Sequence, residues 1–397
     1  MSTTFKELSD KESKYFFHTY KRLALDIVRG EGTELIDRQG KRYLDFFGGL
    51  AVNALGYGHP EVLKAIREQS ERYIHLSNYY IQEPQVRLAE RLITTTGYRK
   101  IFLSNSGTEA MEGVIKLARK WGKAQGKTTL YALSNSFHGR TMGALTLTDR
   151  TKYREGFDPL LPNVGHVGFN DVAALTAAVN ETTLGVVLEF IQGEGGIYPV
   201  SREFSDSLQE LRRKYGFLII ADEIQCGIGR TGKFFGFEHH GVQPDIVVIA
   251  KAIGGGLPLG GFLGNERVAD TFDVGNHGTT FGGNPVACAA GVAVLEQVID
   301  GRLMEQAGRT GQMMLEAFSE VQSEFPALVK DVRGRGLMLG LELTRPAQAV
   351  VDELQRMGIL VNCTNTTVVR MLPPYIVTDG ECDRVVAALR QVLRSLS

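Results

Sequence analysis

Lys251 and Asp222 are the residues whose types and positions could do chemistry together. Lys251 directly follows the run 245–250 (DIVVIA), and Asp222 ends the run 217–221 (FLIIA). Short, continuously apolar runs of this kind read as strands buried on both faces. Both side chains therefore stand at C-terminal strand ends, the edge where open α/β sheets bind ligands. A lysine set against apolar structure has its charged form disfavoured and becomes a nucleophile. An aspartate at the same edge could hold a protonated ring nitrogen. Taken alone, Lys251 also reads as a residue whose stem packs while its head reaches water. Asp222 shifts that balance, because 223–232 (EIQCGIGRTG) is poor helix material and leaves the carboxylate no helix to cap.

A third element is 104–109 (SNSGTE), between the strand-like 101–104 and an amphipathic stretch at 109–123. Strand, small polar turn and helix start make an anion site, since free backbone N–H groups and the positive dipole end face the ligand. Ser106 and Glu109 also fit a capping box. Gly227, Gly229 and Gly232 match the dinucleotide fingerprint, and 227–233 matches the start of a P-loop. Neither fits its context: the glycines begin six residues past the strand end, and Phe234 stands at the P-loop Ser/Thr position. His239 and His240 adjoin Glu238 without metal-ligand spacing and read as surface residues. G-x-S-x-G is absent.

The elements that must position these groups alternate. Candidate strands at 101–104, 129–133, 185–189, 217–221 and 245–250 are separated by helical stretches such as 109–123 and 202–215. In the first of these, Ala110, Val114, Leu117, Ala118 and Trp121 share one stripe. The alternation predicts an α/β domain with a mostly parallel sheet. Segment 33–46 reads as a β-hairpin turning at 38–41. Beyond about residue 300, a long helix precedes two strand-like segments that resemble a smaller α+β domain with its own sheet.

Length and charge bound the function classes. The 397 residues suffice for two cores, and the formal net charge of -1 gives no global reason to expect nucleic acid or an anionic membrane as partner. Four scattered cysteines (Cys226, Cys288, Cys363 and Cys382) form neither a disulfide framework nor a zinc site, and no metal is expected. The first twenty residues lack the apolar core of a signal peptide, and no run reaches spanning length. A cytoplasmic enzyme of small molecules is the expectation.

The order of Lys251, Asp222 and the 106–108 turn resembles the class III (ω-) aminotransferases, pyridoxal phosphate (PLP) enzymes of fold type I. The resemblance spans about residues 20–390. Its segments are NSGTEA (105–110), FHGRT (137–141), IQGEGG (191–196), DEIQCGIGRTG (222–232), AKAIGGGLPLGG (250–261), HGTTFGGNP (277–285) and RGRGLMLGLE (333–342). It implies a large domain with a seven-stranded, mostly parallel sheet plus a smaller α+β domain. The expected division is 1–60 joining the small domain, 61–300 binding the cofactor, and 301–397 completing the small domain. By resemblance, Lys251 is the Schiff-base lysine and proton shuttle. Asp222 pairs with the pyridine nitrogen, and Gln225 with the phenolic oxygen. Gly107 and Thr108 hold the phosphate, and Phe137 stacks on the ring with His138 beside it. Thr280 reaches the phosphate of a neighbouring subunit, which implies a homodimer with interfacial sites. Three positions depart from the family's usual residues: Phe190, Cys226 and Met111.

Two substrates must share the one site. Arginine's planar fork suits their carboxylates. By resemblance, Arg140 takes a distal carboxylate and Arg370 the α-carboxylate of glutamate. Glu194 pairs with Arg370 while an ω-amino donor is bound and swings away for glutamate. Within the family the resemblance is closest to enzymes acting on N-acetylated ornithine. Gly48-Gly49 leaves room for an acyl group there, and Thr279 contacts the donor from the partner chain. Succinylated ornithine or diaminopimelate, free ornithine and 4-aminobutyrate are the alternative donors.

Overall fold

The computed structural model describes residues 4–396. Its central sheet has seven strands: β1 (Lys100–Ser104), β2 (Thr129–Leu133), β3 (Val164–Val167), β4 (Thr183–Leu188), β5 (Leu218–Asp222), β6 (Ile246–Ile249) and β7 (Gly260–Gly264). Their spatial order is β1-β7-β6-β5-β4-β2-β3. Strand β7 runs antiparallel to both neighbours, and every other pairing is parallel. Strands β4 to β7 are buried along their whole length. Alternate residues feed two cores: Leu188, Ile219 and Val247 pack on one face, Val187, Ile220 and Val248 on the other. That two-sided burial is why these strands are apolar throughout rather than alternating.

The five expected strands are present within one or two residues of their predicted ends. Two more, β3 and β7, complete the sheet. β7 (GGFLG) has a composition that disfavours strands, and its glycines answer to close approach instead. A Cβ on Gly260 would lie 2.7 Å from the Ser106 carbonyl, and one on Gly261 2.4 Å from the Phe102 oxygen. The amphipathic helix runs Gly107–Lys123 and buries the predicted stripe. Ser106 Oγ accepts the Glu109 N–H, but the Glu109 carboxylate reaches Asn105 N and Nδ2 rather than closing a capping box on Ser106.

A second sheet joins Val329–Arg335, Met338–Leu343, Val368–Met371 and Asn362–Thr364, all antiparallel. The expected hairpin is Glu34–Asp37 with Arg42–Asp45, and Ile359–Leu360 adds to it in parallel. The chain's early strands and its late ones thus share a sheet. Residues 1–3 and 397 of the expected terminal segments lie outside the described residues. His240 is not a surface residue: it is 5% exposed against Phe190, while His239 is half-buried, and burial pushes both imidazoles down to about 4. The short turn Gly236–His240 packs His240 and Phe237 against Phe190 and leaves His239 half-buried against Thr231, an arrangement no local pattern announces. Among the described residues no helix is long and apolar enough to cross a membrane, and no group of three or more His, Cys, Asp or Glu could hold a metal.

Candidate active site

A cavity of about 430 Å³ opens at the C-terminal ends of β4, β5 and β6. Lys251, Asp222, Glu189, Gln225, Phe137, His138 and the 105–108 turn all line it. Lys251 begins a short turn with φ +54, a left-handed conformation unusual for lysine, directly after the extended Ala250. Among the described residues its amine has no hydrogen-bond or ion-pair partner. Burial lowers its pKa from the ordinary lysine range, with Arg370 adding to the effect and Glu194, Asp222 and Glu189 opposing it. The neutral amine that a nucleophile needs is therefore favoured.

Asp222 is 3% exposed. Its Oδ2 lies 2.7 Å from His138 Nδ1, and its Oδ1 accepts the Ile224 N–H at 3.1 Å. Burial alone would lower the His138 pKa. The hydrogen bond and charge of Asp222, with Glu189 nearby, outweigh burial and raise it. Gln225 Oε1 accepts from Arg370 Nη1 at 3.2 Å, which turns its amide donor away from that guanidinium. Gly193 must be glycine for this packing, because a Cβ there would sit 2.3 Å from Gln225 Oε1.

The pyridoxal phosphate that the resemblance implies fits these residues. At the start of the helix Gly107–Lys123, among the described residues, the Gly107 and Thr108 N–H groups meet no protein acceptor. A Cβ on Gly107 would strike Ile224 at 2.5 Å, so the turn has no room for a side chain. Among the described residues His138 Nε2 is buried without a partner, an unmet polar atom on the ring whose Nδ1 meets Asp222. Thr108 Oγ1 accepts the Arg140 and Thr141 N–H groups, which ties the anion turn to the segment 137–141.

The two predicted arginines differ. Arg370 is 1% exposed; its Nη1 lies 2.5 Å from Glu194 Oε1 and its Nε donates to Asn362 Oδ1 at 2.9 Å. Burial opposes ionisation of Glu194, but the charge and hydrogen bond of Arg370 hold its pKa below the usual range, with Lys251 and Arg150 contributing. Arg140 is exposed and carries its guanidinium 3.8 Å above the Tyr153 ring. Thr279 Oγ1 lies behind Asn105 at 3.5 Å, whereas Thr280 is exposed and does not line the cavity of its own chain.

Gly48 and Gly49 lie in a left-handed turn with φ +55 and +60, and a Cβ on Gly48 would meet the Leu372 carbonyl at 2.6 Å. The backbone thus demands glycine at 48 independently of any acyl group. Of the departures from the family pattern, Phe190, Cys226 and Met111 are all fully buried, and Phe190 packs on Phe237. Sequence reasoning missed Glu189, Tyr153 and Asn362 as site residues. Glu189 ended a predicted strand on the Asp222 edge, which was the signal available for it. Tyr153 and Asn362 carried none.

The family profile described as aminotransferase class-III matches residues 15–393. The acetylornithine aminotransferase of Methanothermobacter thermautotrophicus is 42% identical over 391 residues, covering 98% of this chain and 99% of that one. That of Caldanaerobacter subterraneus is 44% identical over 389 residues, covering 97% and 98%. Among solved structures, the ornithine aminotransferase of Toxoplasma gondii superposes with a TM-score of 0.95 at 29% identity, covering 100% of this chain and 96% of that one. The acetylornithine aminotransferase of Elizabethkingia anophelis gives 0.87 at 29% identity, covering 99% of this chain and 100% of that one.

Proposed function

The chain belongs to the class-III aminotransferases, pyridoxal-phosphate enzymes, and from that membership we propose that it acts on N2-acetyl-L-ornithine. With 2-oxoglutarate the products are N-acetyl-L-glutamate 5-semialdehyde and L-glutamate, a step of arginine biosynthesis. The observation that carries this reading is the Arg370–Glu194 pair. A buried guanidinium matched to a partly exposed carboxylate on a loop can be masked for a donor with one carboxylate and released for a dicarboxylate. The relatives named for acetylornithine, at 42% and 44% identity over nearly the whole chain, support the donor.

When bound, the cofactor supplies an electron sink for the carbon that loses and regains a proton. The chain's own residues do the rest. Lys251, with its amine held toward neutrality, takes and returns that proton. Asp222, braced by His138, would face the ring nitrogen, and Gln225 would donate to the phenolic oxygen. The Gly107 and Thr108 N–H groups would hold the phosphate, and Phe137 would cover a ring face. Arg140 would take the carboxylate of acetylornithine beside its acyl arm, and Arg370, once Glu194 leaves, the α-carboxylate of 2-oxoglutarate. The division into a cofactor domain (61–300) and a small domain built from both chain ends is part of this proposal; the pairing of Arg42–Asp45 with Ile359–Leu360 supports it.

A homodimer completes the reading, with Thr279 and Thr280 serving the site of the partner. Thr280 is exposed next to Phe281, which packs on His75, and the adjoining Tyr79 and Ile81 are almost wholly exposed. Apolar exposure on that scale favours a protein interface. A cytoplasmic location belongs to the same proposal. The test is steady-state kinetics with acetylornithine, succinylornithine, ornithine and 4-aminobutyrate, each against 2-oxoglutarate. Preference for acetylornithine supports the assignment; preference for free ornithine or another donor overturns it.

A further inference from the structure

Glu189 follows β4 and is 5% exposed inside the cavity wall. Both of its oxygens are used. Oε2 accepts the Phe137 N–H at 3.1 Å, and Oε1 accepts the Gly193 N–H at 3.0 Å. These donors belong to separate segments. One presents Phe137 and His138 to the cavity; the other begins the loop that presents Glu194 to Arg370. A carboxylate suits two converging N–H donors, whereas an amide would turn its own N–H against one of them.

The loop 193–196 is held at further points. Thr364 Oγ1 donates to the Glu194 carbonyl at 2.8 Å. Arg333 Nε and Nη2 both donate to the Gly196 carbonyl, at 3.0 and 2.7 Å. Gln225 fills the space a Cβ on Gly193 would need. The backbone is thus pinned at its start, middle and end, which leaves the Glu194 side chain as the part free to turn.

We propose that Glu189 is a positioning residue for substrate exchange: it locks the root of the Glu194 loop to the Phe137–His138 segment, so that Glu194 reaches Arg370 in one fixed geometry. This rests on the two-substrate reading of Arg370 and Glu194 given above. Loosening the root weakens the masking of Arg370. The monocarboxylate ω-amino donor then loses the paired arginine it needs, while the dicarboxylate, which binds with Glu194 displaced, does not.

Glu189→Gln in the holoenzyme tests this, with Glu194→Ala alongside and both half-reactions measured separately. The expected result is a loss of about tenfold in kcat/KM for acetylornithine, at least about threefold larger than the loss for 2-oxoglutarate, which shares the loosened Phe137–His138 segment. Amide hydrogen exchange should rise at both 137–139 and 192–196. Equal losses in the two half-reactions, or faster exchange at one segment alone, overturn the proposal by reducing Glu189 to a structural residue. If Glu194→Ala shifts the ratio and Glu189→Gln does not, the clamp fails while the two-substrate reading stands. If Glu194→Ala does not shift the ratio, that reading fails and takes the clamp with it. Should Glu189→Gln not fold, Thr364→Val unties the same loop one residue on and must shift the ratio in the same direction; no shift overturns the proposal.

Discussion

His138 Nδ1 lies 2.7 Å from Asp222 Oδ2, with the two side chains 0% and 3% exposed. Two residues 84 positions apart thereby form a buried hydrogen-bonded pair at the strand edge that also carries Lys251, and the Asp222 carboxylate favours the charged imidazole. Removing one partner of such a pair strands the other as an uncompensated buried charge. His138→Phe is therefore expected to lower stability by about 3 kcal/mol or more. Urea unfolding of the apoprotein measures it. A change under about 1 kcal/mol would mean that Asp222 is solvated or otherwise partnered.

Asp222→Asn keeps the shape and removes the charge. Its kcat should fall by about 10²–10⁴ while the fold persists. The rate of each half-reaction, with circular dichroism as the fold control, checks this. Near-normal turnover would remove Asp222 from the catalytic set.

Lys251 combines a proposed catalytic role with a strained backbone. Lys251→Ala should abolish turnover, and Lys251→Arg should not restore it, because a guanidinium stays protonated. Lys251→Gly should be equally inactive yet about 1 kcal/mol more stable than Lys251→Ala, since glycine accepts φ +54 without steric cost. Matched denaturant curves of the two apoproteins decide it. Equal stability would show that the turn carries no strain.

Arg370 should matter to one substrate more than the other. Arg370→Gln is expected to cut kcat/KM for 2-oxoglutarate by about 10- to 100-fold, as loss of charge-assisted hydrogen bonds does. Acetylornithine should suffer less, because its carboxylate is assigned to Arg140. Similar losses for both would place the donor's carboxylate on Arg370 as well.

Glu342 sets an acid limit on stability. Burial disfavours its ionisation, but hydrogen bonds from Lys330, Tyr198 and Arg333, with the charge of Arg333, push its pKa down to about 2 from an ordinary 4.5. A depressed folded-state value contributes stability that is fully present above 4.5 and is lost as pH falls toward 2. Glu342→Gln should cost about 1–2 kcal/mol near neutrality, since solvent screens the partly exposed Lys330 pair, with the difference from the parent shrinking below about pH 4.5. A difference that stays constant from pH 7 to pH 3 would assign the cost to packing.

The same contrast between local pattern and remote contact separates what was readable in advance. Asp222 and Lys251 were legible because a strand buried on both faces is written as a continuous apolar run. Chain direction in a parallel sheet then decides which end faces the ligand edge. Arg370 was named through a family pattern, but its burial and its bond to Gln225 depend on residues 145 positions away. Glu189 was visible as a strand end. Its two acceptor bonds were not, since they join segments that meet only after the sheet has formed.

Sequence by itself determined the α/β alternation, five of the seven central strands and the strand edge that carries Lys251 and Asp222, because periodicity and chain direction are local properties. The tertiary structure alone decided which side chains face one another there. It paired His138 with Asp222, drew His240 inward, and made a strand of GGFLG by pairing it on both sides, where a side chain at Gly260 would collide with the Ser106 carbonyl. Close approach of that kind is a property of two distant segments at once, and neither segment records it alone.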